Sequence, residues 1–356
     1  MNTPVRTATF PTPRRQAPLT SYELSAAAAP RYAGAVVFGR HSLSLLIALS
    51  SLLWAGAVSA QDFVGVRAMA LGEAYRAIAT GNDAIYLNPA GLTAVPRYSP
   101  ELHYSFDLDA EDHQVDLSVV DSKTSAMAGG IGYTFEGREL TRRTTLQHTA
   151  TVGLAYQFLP QLLSAGVGVK YVNLSDAIVG NYLNALSADV GVLATLPGGL
   201  SLAAVGYNLV PINAKDVPLS AGFGAALDLG PLSSLLFGGG PVFGPMPNAA
   251  GVPAPVPPGN PRGPLSNFVL TADWYINFFT LYGPQNRISA GWEYLFLDAV
   301  PLRLGYQYDE ARGDHVACAG AGFIVPYFGL DVGFQQSVVD LERRSFGLSL
   351  KFFFDV

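Results

Sequence analysis

The chain has 356 residues, 49% of them hydrophobic and only 13% charged, where a soluble domain carries roughly 25% charged residues. A mean hydropathy of +0.27 would ordinarily signal transmembrane helices, yet only Leu43 to Val58 approaches the about 20 apolar residues that a spanning helix needs. A polytopic helical membrane protein is therefore excluded, and the aromatic content (Phe 20, Tyr 17, Trp 3) excludes intrinsic disorder. Apolar content without apolar runs implies hydrophobicity spread by alternation, which is how a transmembrane β-barrel is written into a sequence.

Residues 1–38 carry four arginines, one glutamate and several prolines. They read as a disordered leader or an over-early start. Residues 39–60 read as a signal peptide: Arg40 and His41, the apolar core from Leu43, then Val58-Ser59-Ala60 with a cut after Ala60. The alternative, a single N-terminal anchor, lacks a basic stop after it. With the five arginines and Glu23 of this region set aside, 16 Lys+Arg face 26 Asp+Glu. Such a surface repels nucleic acid, so no nucleic-acid partner is expected. Cys318 has no disulfide partner and lies among the small residues Ala317, Ala319 and Gly320, where it fills space. No metal or cofactor constellation is present in the sequence.

Residues 61–97 differ from everything after them. Val66 to Ala79 consists of helix formers with apolar residues at mixed three and four spacing, and predicts a helix. It leads through Gly81-Asn82-Asp83 into Tyr86-Leu87-Asn88-Pro89-Ala90-Gly91-Leu92, where Asn-Pro followed by Gly is turn chemistry. From Tyr98 the period switches to two. Leu102, Tyr104, Phe106 and Leu108 interleave with His103, Ser105 and Asp107; Ile288, Ala290, Trp292 and Tyr294 interleave with Ser289, Gly291 and Glu293.

Fourteen strands are expected between 98 and 356, most of 10–13 residues, longer than the usual soluble strand of about 5–6 and matched to a tilted bilayer crossing. The fold class is thus all-β, a transmembrane antiparallel barrel of about fourteen strands. Tight connections are expected at 123, 159–161, 197–199, 298–299 and 326, and longer polar ones at 137–145, 173–183, 277–285 and 338–342. Residues 230–265, with ten Pro and eight Gly, fall on the periplasmic side by strand parity and read as an irregular insertion, either a tolerated one or a periplasmic docking segment. The polar face should line the lumen with Asp107, Asp116, Asp189, Asp228, Asp273, Glu293 and Asp331, answered by Lys170, Arg303 and Lys351. Lumen glycines (Gly130, Gly132, Gly166, Gly168, Gly222, Gly224, Gly305, Gly347) either let backbone approach the wall or relieve curvature.

The stretch Arg67-Ala68-Met69-Ala70-Leu71-Gly72-Glu73-Ala74-Tyr75, followed by Asn88-Pro89-Ala90-Gly91, resembles the N-terminal signature of the FadL-type outer-membrane transporters and the related PorV/PorQ proteins. Gly291-Trp292-Glu293-Tyr294 and Pro301-Leu302-Arg303-Leu304-Gly305-Tyr306 are similar to that group's C-terminal half. The resemblance implies a fourteen-stranded barrel in the outer membrane, plugged by a small N-terminal hatch at 61–97. Its signature would be Asn88, Pro89, Ala90 and Gly91, and its helix would carry Arg67, Met69, Leu71, Gly72 and Tyr75. Where the family has a second glycine after Gly72, this chain has Glu73.

The resemblance further implies passage of hydrophobic ligands such as long-chain fatty acids, contact with outer-membrane lipid, and insertion by the barrel assembly machinery. A PorV-like role in secretion or surface attachment, with a secretion-apparatus partner, is the alternative. An enzyme is not expected. Of the histidines after residue 60 (103, 113, 148 and 315), His103 and Asp107 share a strand face about 13 Å apart, too far for a dyad.

Overall fold

The computed structural model describes residues 65–140, 143–176, 180–210, 217–231, 267–278 and 283–354. The leader, the signal peptide and most of the 230–265 insertion lie outside the described residues.

All fourteen expected strands are present. They are β1 (Tyr98–Asp107), β2 (Asp112–Asp121), β3 (Met127–Leu140), β4 (Arg143–Leu159), β5 (Leu163–Asp176), β6 (Gly180–Thr195) and β7 (Leu200–Tyr207). The second half holds β8 (Ser220–Asp228), β9 (Phe268–Asn277), β10 (Gln285–Phe296), β11 (Val300–Asp309), β12 (Asp314–Ile324), β13 (Phe328–Ser337) and β14 (Arg344–Phe352). Each pairs antiparallel with its neighbours in sequence, and β1 pairs with β14, Leu102 opposite Leu350, closing the barrel. Closure leaves no strand edge, as a sheet in lipid requires.

Burial follows the period of two. In β5 the inward positions Ser164, Gly166, Gly168, Lys170, Val172 and Leu174 are buried, while Val167, Val169 and Tyr171 are exposed outwards. Leu117, Ile131 and Leu186 are likewise exposed on the outer face. The apolar face is therefore the outer one, and a barrel with a greasy outside is built to lie in lipid.

One end of the barrel holds the start of β1 and the end of β14; we call it the terminal end and the other the distal end. The expected long connections at 137–145 and 173–183 are corrected. The β3–β4 ladder runs out to Leu140 opposite Arg143, and the β5–β6 ladder to Asp176 opposite Gly180. Above the lipid the outward positions no longer need apolar side chains, so the alternation fades although the ladder continues.

Candidate functional site: the segment inside the barrel

Residues Gly65 to Arg97 occupy the interior. They form α1 (Val66–Ala70), a 3-10 turn at Gly81–Asp83, α2 (Ala84–Leu87) and a second 3-10 turn at Pro89–Thr93. The helix expected over Val66–Ala79 stops at Ala70. Gly72 and Glu73 both take left-handed backbone (φ 67 for each), a conformation that glycine tolerates and glutamate adopts only when held. The holding group is Arg287 of β10, whose Nη1 lies 2.7 Å from Glu73 Oε2 while its Nη2 lies 3.4 Å from Asp309 Oδ2. Of the residues assigned to that helix, Arg67 and Met69 lie in α1, Leu71 caps it, and Gly72 and Tyr75 lie beyond it.

Wall glycines make room for this segment. A Cβ at Gly166 would lie 2.4 Å from the Pro89 carbonyl carbon, and one at Gly305 would lie 2.2 Å from that of Leu71. At these positions backbone meets backbone, and no side chain fits. Gly130, Gly132, Gly222 and Gly347 instead accommodate the side chains of Ile85, Tyr86, Arg76 and Met69. Gly168 is different, because its nearest neighbours lie at ordinary contact distance, Asp189 Cβ at 3.7 Å.

Asn88 organises the turn that carries the Asn-Pro-Ala-Gly run. Its Oδ1 accepts from the Ala90 N–H at 3.1 Å, and its Nδ2 donates to the Arg76 carbonyl at 3.1 Å. Pro89 sits in the first turn, where its missing N–H costs nothing. Gly91 lies where a Cβ would come within 2.1 Å of the Ala79 carbonyl oxygen. Ser164 Oγ of β5 donates to the Ala90 carbonyl at 3.1 Å, tying the turn to the wall.

Two charged networks fasten the segment elsewhere. In the first, Arg67 grips Glu293 through Nε (2.8 Å) and Nη2 (2.7 Å), and Glu293 also accepts from Arg303 Nε at 2.5 Å. Arg303 continues to Asp331 (2.5 Å), and the Lys351 ammonium sits among Asp331 (3.6 Å), Glu101 (3.4 Å) and Asp83 (3.7 Å). In the second, Asp273 Oδ2 accepts from the Tyr75 and Arg76 N–H groups and from Arg76 Nη1, each at 3.0 Å. Arg76 Nε donates to the Tyr207 hydroxyl at 2.8 Å, and that hydroxyl donates to the Leu87 carbonyl. Burial pulls the Arg76 guanidinium down, but the Tyr207 phenol and the Asp273 carboxylate together hold it above its ordinary value. Tyr86 donates to Asp116, which also accepts from Thr134 at 3.1 Å. Burial first, and Asp116 second, push the Tyr86 phenol well above its ordinary value, so it remains a donor.

Most of the expected lumen residues therefore meet, but not as a solvated lining. Asp116, Asp273, Glu293, Arg303, Asp331 and Lys351 are wall anchors for the inner segment. Asp189 pairs with Lys170 at 3.1 Å and accepts from the Asn208 N–H at 2.8 Å. Two are corrected. Asp228 is exposed at the end of β8, where it accepts from the Gly230 N–H, because the strand stops before its inward parity can bury it. Asp107 caps the distal β1–β2 turn through the Asp109 and Ala110 N–H groups and accepts from Ser345. Sequence reasoning missed Arg76, Tyr207 and Arg287, whose partners lie far away in the chain.

Buried apolar side chains of the wall gather at one place in the distal half: Val172 and Leu174 of β5, with Leu183 of β6 and Val217 before β8. Beside it the regular β6–β7 ladder ends at Val190 opposite Gly206. Asn208 then turns left-handed (φ 55), and the seam continues through irregular bonds such as Leu209 N–H to the Ala188 carbonyl at 2.8 Å.

A closed fourteen-stranded antiparallel barrel with an apolar outer face and a short N-terminal segment packed inside it defines the architectural class. Solved structures bear this out at the level of fold. The chain is similar to the CymD monoaromatic hydrocarbon channel (TM-score 0.58, 13% identity, covering 85% of this chain and 99% of that one). It is similar also to a Pseudomonas aeruginosa FadL homologue (0.59, 10% identity, 84% and 100%) and to the Pseudomonas putida toluene transporter TodX (0.52, 14%, 83% and 97%). No family model matches the chain, and no curated protein matches it.

Proposed function

We propose that the protein is an outer-membrane channel for hydrophobic small molecules, with long-chain fatty acids as the substrate class, and that Gly65–Arg97 is its plug. The observation that carries this reading is the pairing of an apolar lumen patch (Val172, Leu174, Leu183, Val217) with an irregular wall seam (Asn208, Leu209) directly above a plug held by polar bonds. A fatty-acid tail entering from the distal, external end would part these buried side chains and take up their apolar contacts. The seam offers it a sideways exit into lipid once Tyr207 and Asp189 let go. Export through the signal peptide and insertion by the barrel assembly machinery complete the reading. The fold likeness to hydrocarbon and toluene channels supports it.

The test is uptake of labelled oleate and of toluene into a strain lacking its own FadL-type transporter. Expression should restore oleate uptake, and Leu174→Asp should abolish it while the barrel still assembles. An assembled wild-type barrel that restores neither substrate would overturn the reading. Cargo protein co-purifying without uptake would point instead to the PorV-like role.

A further inference from the structure

Of the four histidines among the described residues, His103 is buried on β1 and the other three sit in one repeated construction. His113 on β2, His148 on β4 and His315 on β12 lie on the outer face at the distal end of the barrel. In each case the ring Nδ1 is bonded to the hydroxyl of a tyrosine on the preceding strand: Tyr104 at 2.8 Å, Tyr133 at 2.7 Å and Tyr306 at 2.5 Å. A second aromatic directly opposite packs on each imidazole: Phe106 at 4.7 Å between centroids, Phe135 at 5.1 Å and Tyr308 at 4.9 Å. The registers match as well. The histidine opposes the residue two places nearer the rim than the tyrosine, the diagonal spacing that long side chains can bridge across a sheet.

The same diagonal recurs without histidine at Tyr171–Asn184 (2.7 Å) and Trp274–Asn286 (3.0 Å). Five distal hairpins thus carry an outward aromatic bonded to an outward polar group. Aromatic rings of this kind mark the level where hydrocarbon gives way to headgroups.

Three carboxylates next to these positions in sequence point inward and are engaged there: Asp107 with Ser345, Asp309 with Arg287, and Asp314 with Arg343 at 2.5 Å and Ser337 at 2.6 Å. Outward stand imidazoles. Each is oriented through Nδ1 by a tyrosine; with the hydroxyl donating to Nδ1, Nε2–H is the donor that the ring presents. In an acidic chain, net charge −6, this face offers three imidazoles, and the carboxylate that does stand at the same rim, Glu310, is taken up by Asn286.

We propose that His113, His148 and His315 form three equivalent contacts for the phosphate groups of lipid in the distal leaflet. Each contact consists of an imidazole Nε2–H held at headgroup height by its tyrosine and its flanking ring. This rests on the barrel's lying in a bilayer, and not on what passes through it.

The test uses the full chain in phosphatidylcholine nanodiscs doped with bisphosphorylated lipid A, or with the same lipid dephosphorylated, followed by native mass spectrometry of the lipid retained. The wild type should retain the phosphorylated form in preference. His113→Leu/His148→Leu/His315→Leu should lose that preference while remaining heat-modifiable. Should the triple variant fail to assemble, each single His→Leu variant should retain phosphorylated lipid about tenfold more weakly at its own contact, the worth of one charge-assisted hydrogen bond. Equal retention of the dephosphorylated lipid by the wild type, or undiminished preference in the substituted proteins, would overturn the proposal.

Discussion

Glu293 carries the charge of the plug–wall contact, accepting two hydrogen bonds from Arg67 and one from Arg303. Replacing it with glutamine keeps the shape and one acceptor oxygen but removes the charge, so Arg67 keeps one bond and loses the other. A hydrogen bond to a charged group contributes about 1.5–3 kcal/mol. At about 1.4 kcal/mol per decade, the undocked population should rise between about tenfold and about a hundredfold. The chain supplies its own reporter. Cys318 is its only cysteine and is 4% exposed. It stands on the lumen side of β12 opposite Gly305, where the Leu71–Gly72 backbone covers the wall. A methanethiosulfonate reagent reaches it when the plug moves, so Glu293→Gln should be labelled faster by that same factor. Asp314→Asn breaks an ion pair of the same type with Arg343, but at the distal rim, and should be labelled at the wild-type rate. A folded Glu293→Gln barrel labelled no faster than wild type would refute the reasoning, as would equal acceleration in Asp314→Asn, which would make the effect one of general loosening.

Gly166→Ala places a methyl group 2.4 Å from the Pro89 carbonyl carbon; it should speed Cys318 labelling and cost about 1–3 kcal/mol of plug docking. Gly168→Ala, two residues along the same face with its nearest atom 3.7 Å away, should behave as wild type, and identical behaviour of the two variants in thermal melts and labelling would contradict the close-approach argument. On the outer face, Leu117→Arg at mid-height (55% exposed) should lower refolding stability in lipid vesicles by about 2–4 kcal/mol, read from urea titration; an unchanged titration would place Leu117 outside the hydrocarbon layer.

The strands were legible because lipid on one side and a crowded polar interior on the other impose a strict alternation, and Leu102, Tyr104 and Phe106 against His103 and Ser105 can satisfy it in only one register. Legibility failed where one of those solvents was absent. Above the lipid, β3 to β6 continue through Thr, Asn and Ser, and the pattern dissolves although the ladder holds. In the lumen, Val66–Ala79 reads as helix by propensity, but the break at Gly72–Glu73 is enforced by Arg287, 214 residues away. Such long-range anchors leave no local trace: Arg67 finds Glu293 at a separation of 226 and Arg76 finds Asp273 at 197. The histidine girdle was readable in principle. Tyr-x-Phe or Tyr-x-Tyr, then a turn, then His becomes a diagonal pair as soon as the hairpin register is counted.

The chemistry of attachment bears on how such a plug would work. Its interior is apolar and largely its own: Ala68, Leu71, Tyr75, Ala79, Ile85 and Leu92 pack together, touching few wall residues such as Val120, Ala128 and Ala155. Its charged fastenings to the wall are ion pairs and hydrogen bonds, which water can replace one at a time, beside a smaller apolar contact of Ala77 and Ala90 with Leu193, Ala203 and Ala226. An apolar ligand gains nothing from those polar fastenings, and it needs a lever that reaches them from the Val172–Leu174 patch. In the proposed channel Tyr207 would be that lever. It ends β7 next to the irregular seam, lies under the Lys170 ammonium, and holds both the Arg76 guanidinium and the Leu87 carbonyl through one hydroxyl. In the proposed channel, a ligand that displaced the Tyr207 ring would loosen seam and inner segment together, and sideways exit would be coupled to release of that segment without a continuous aqueous pore.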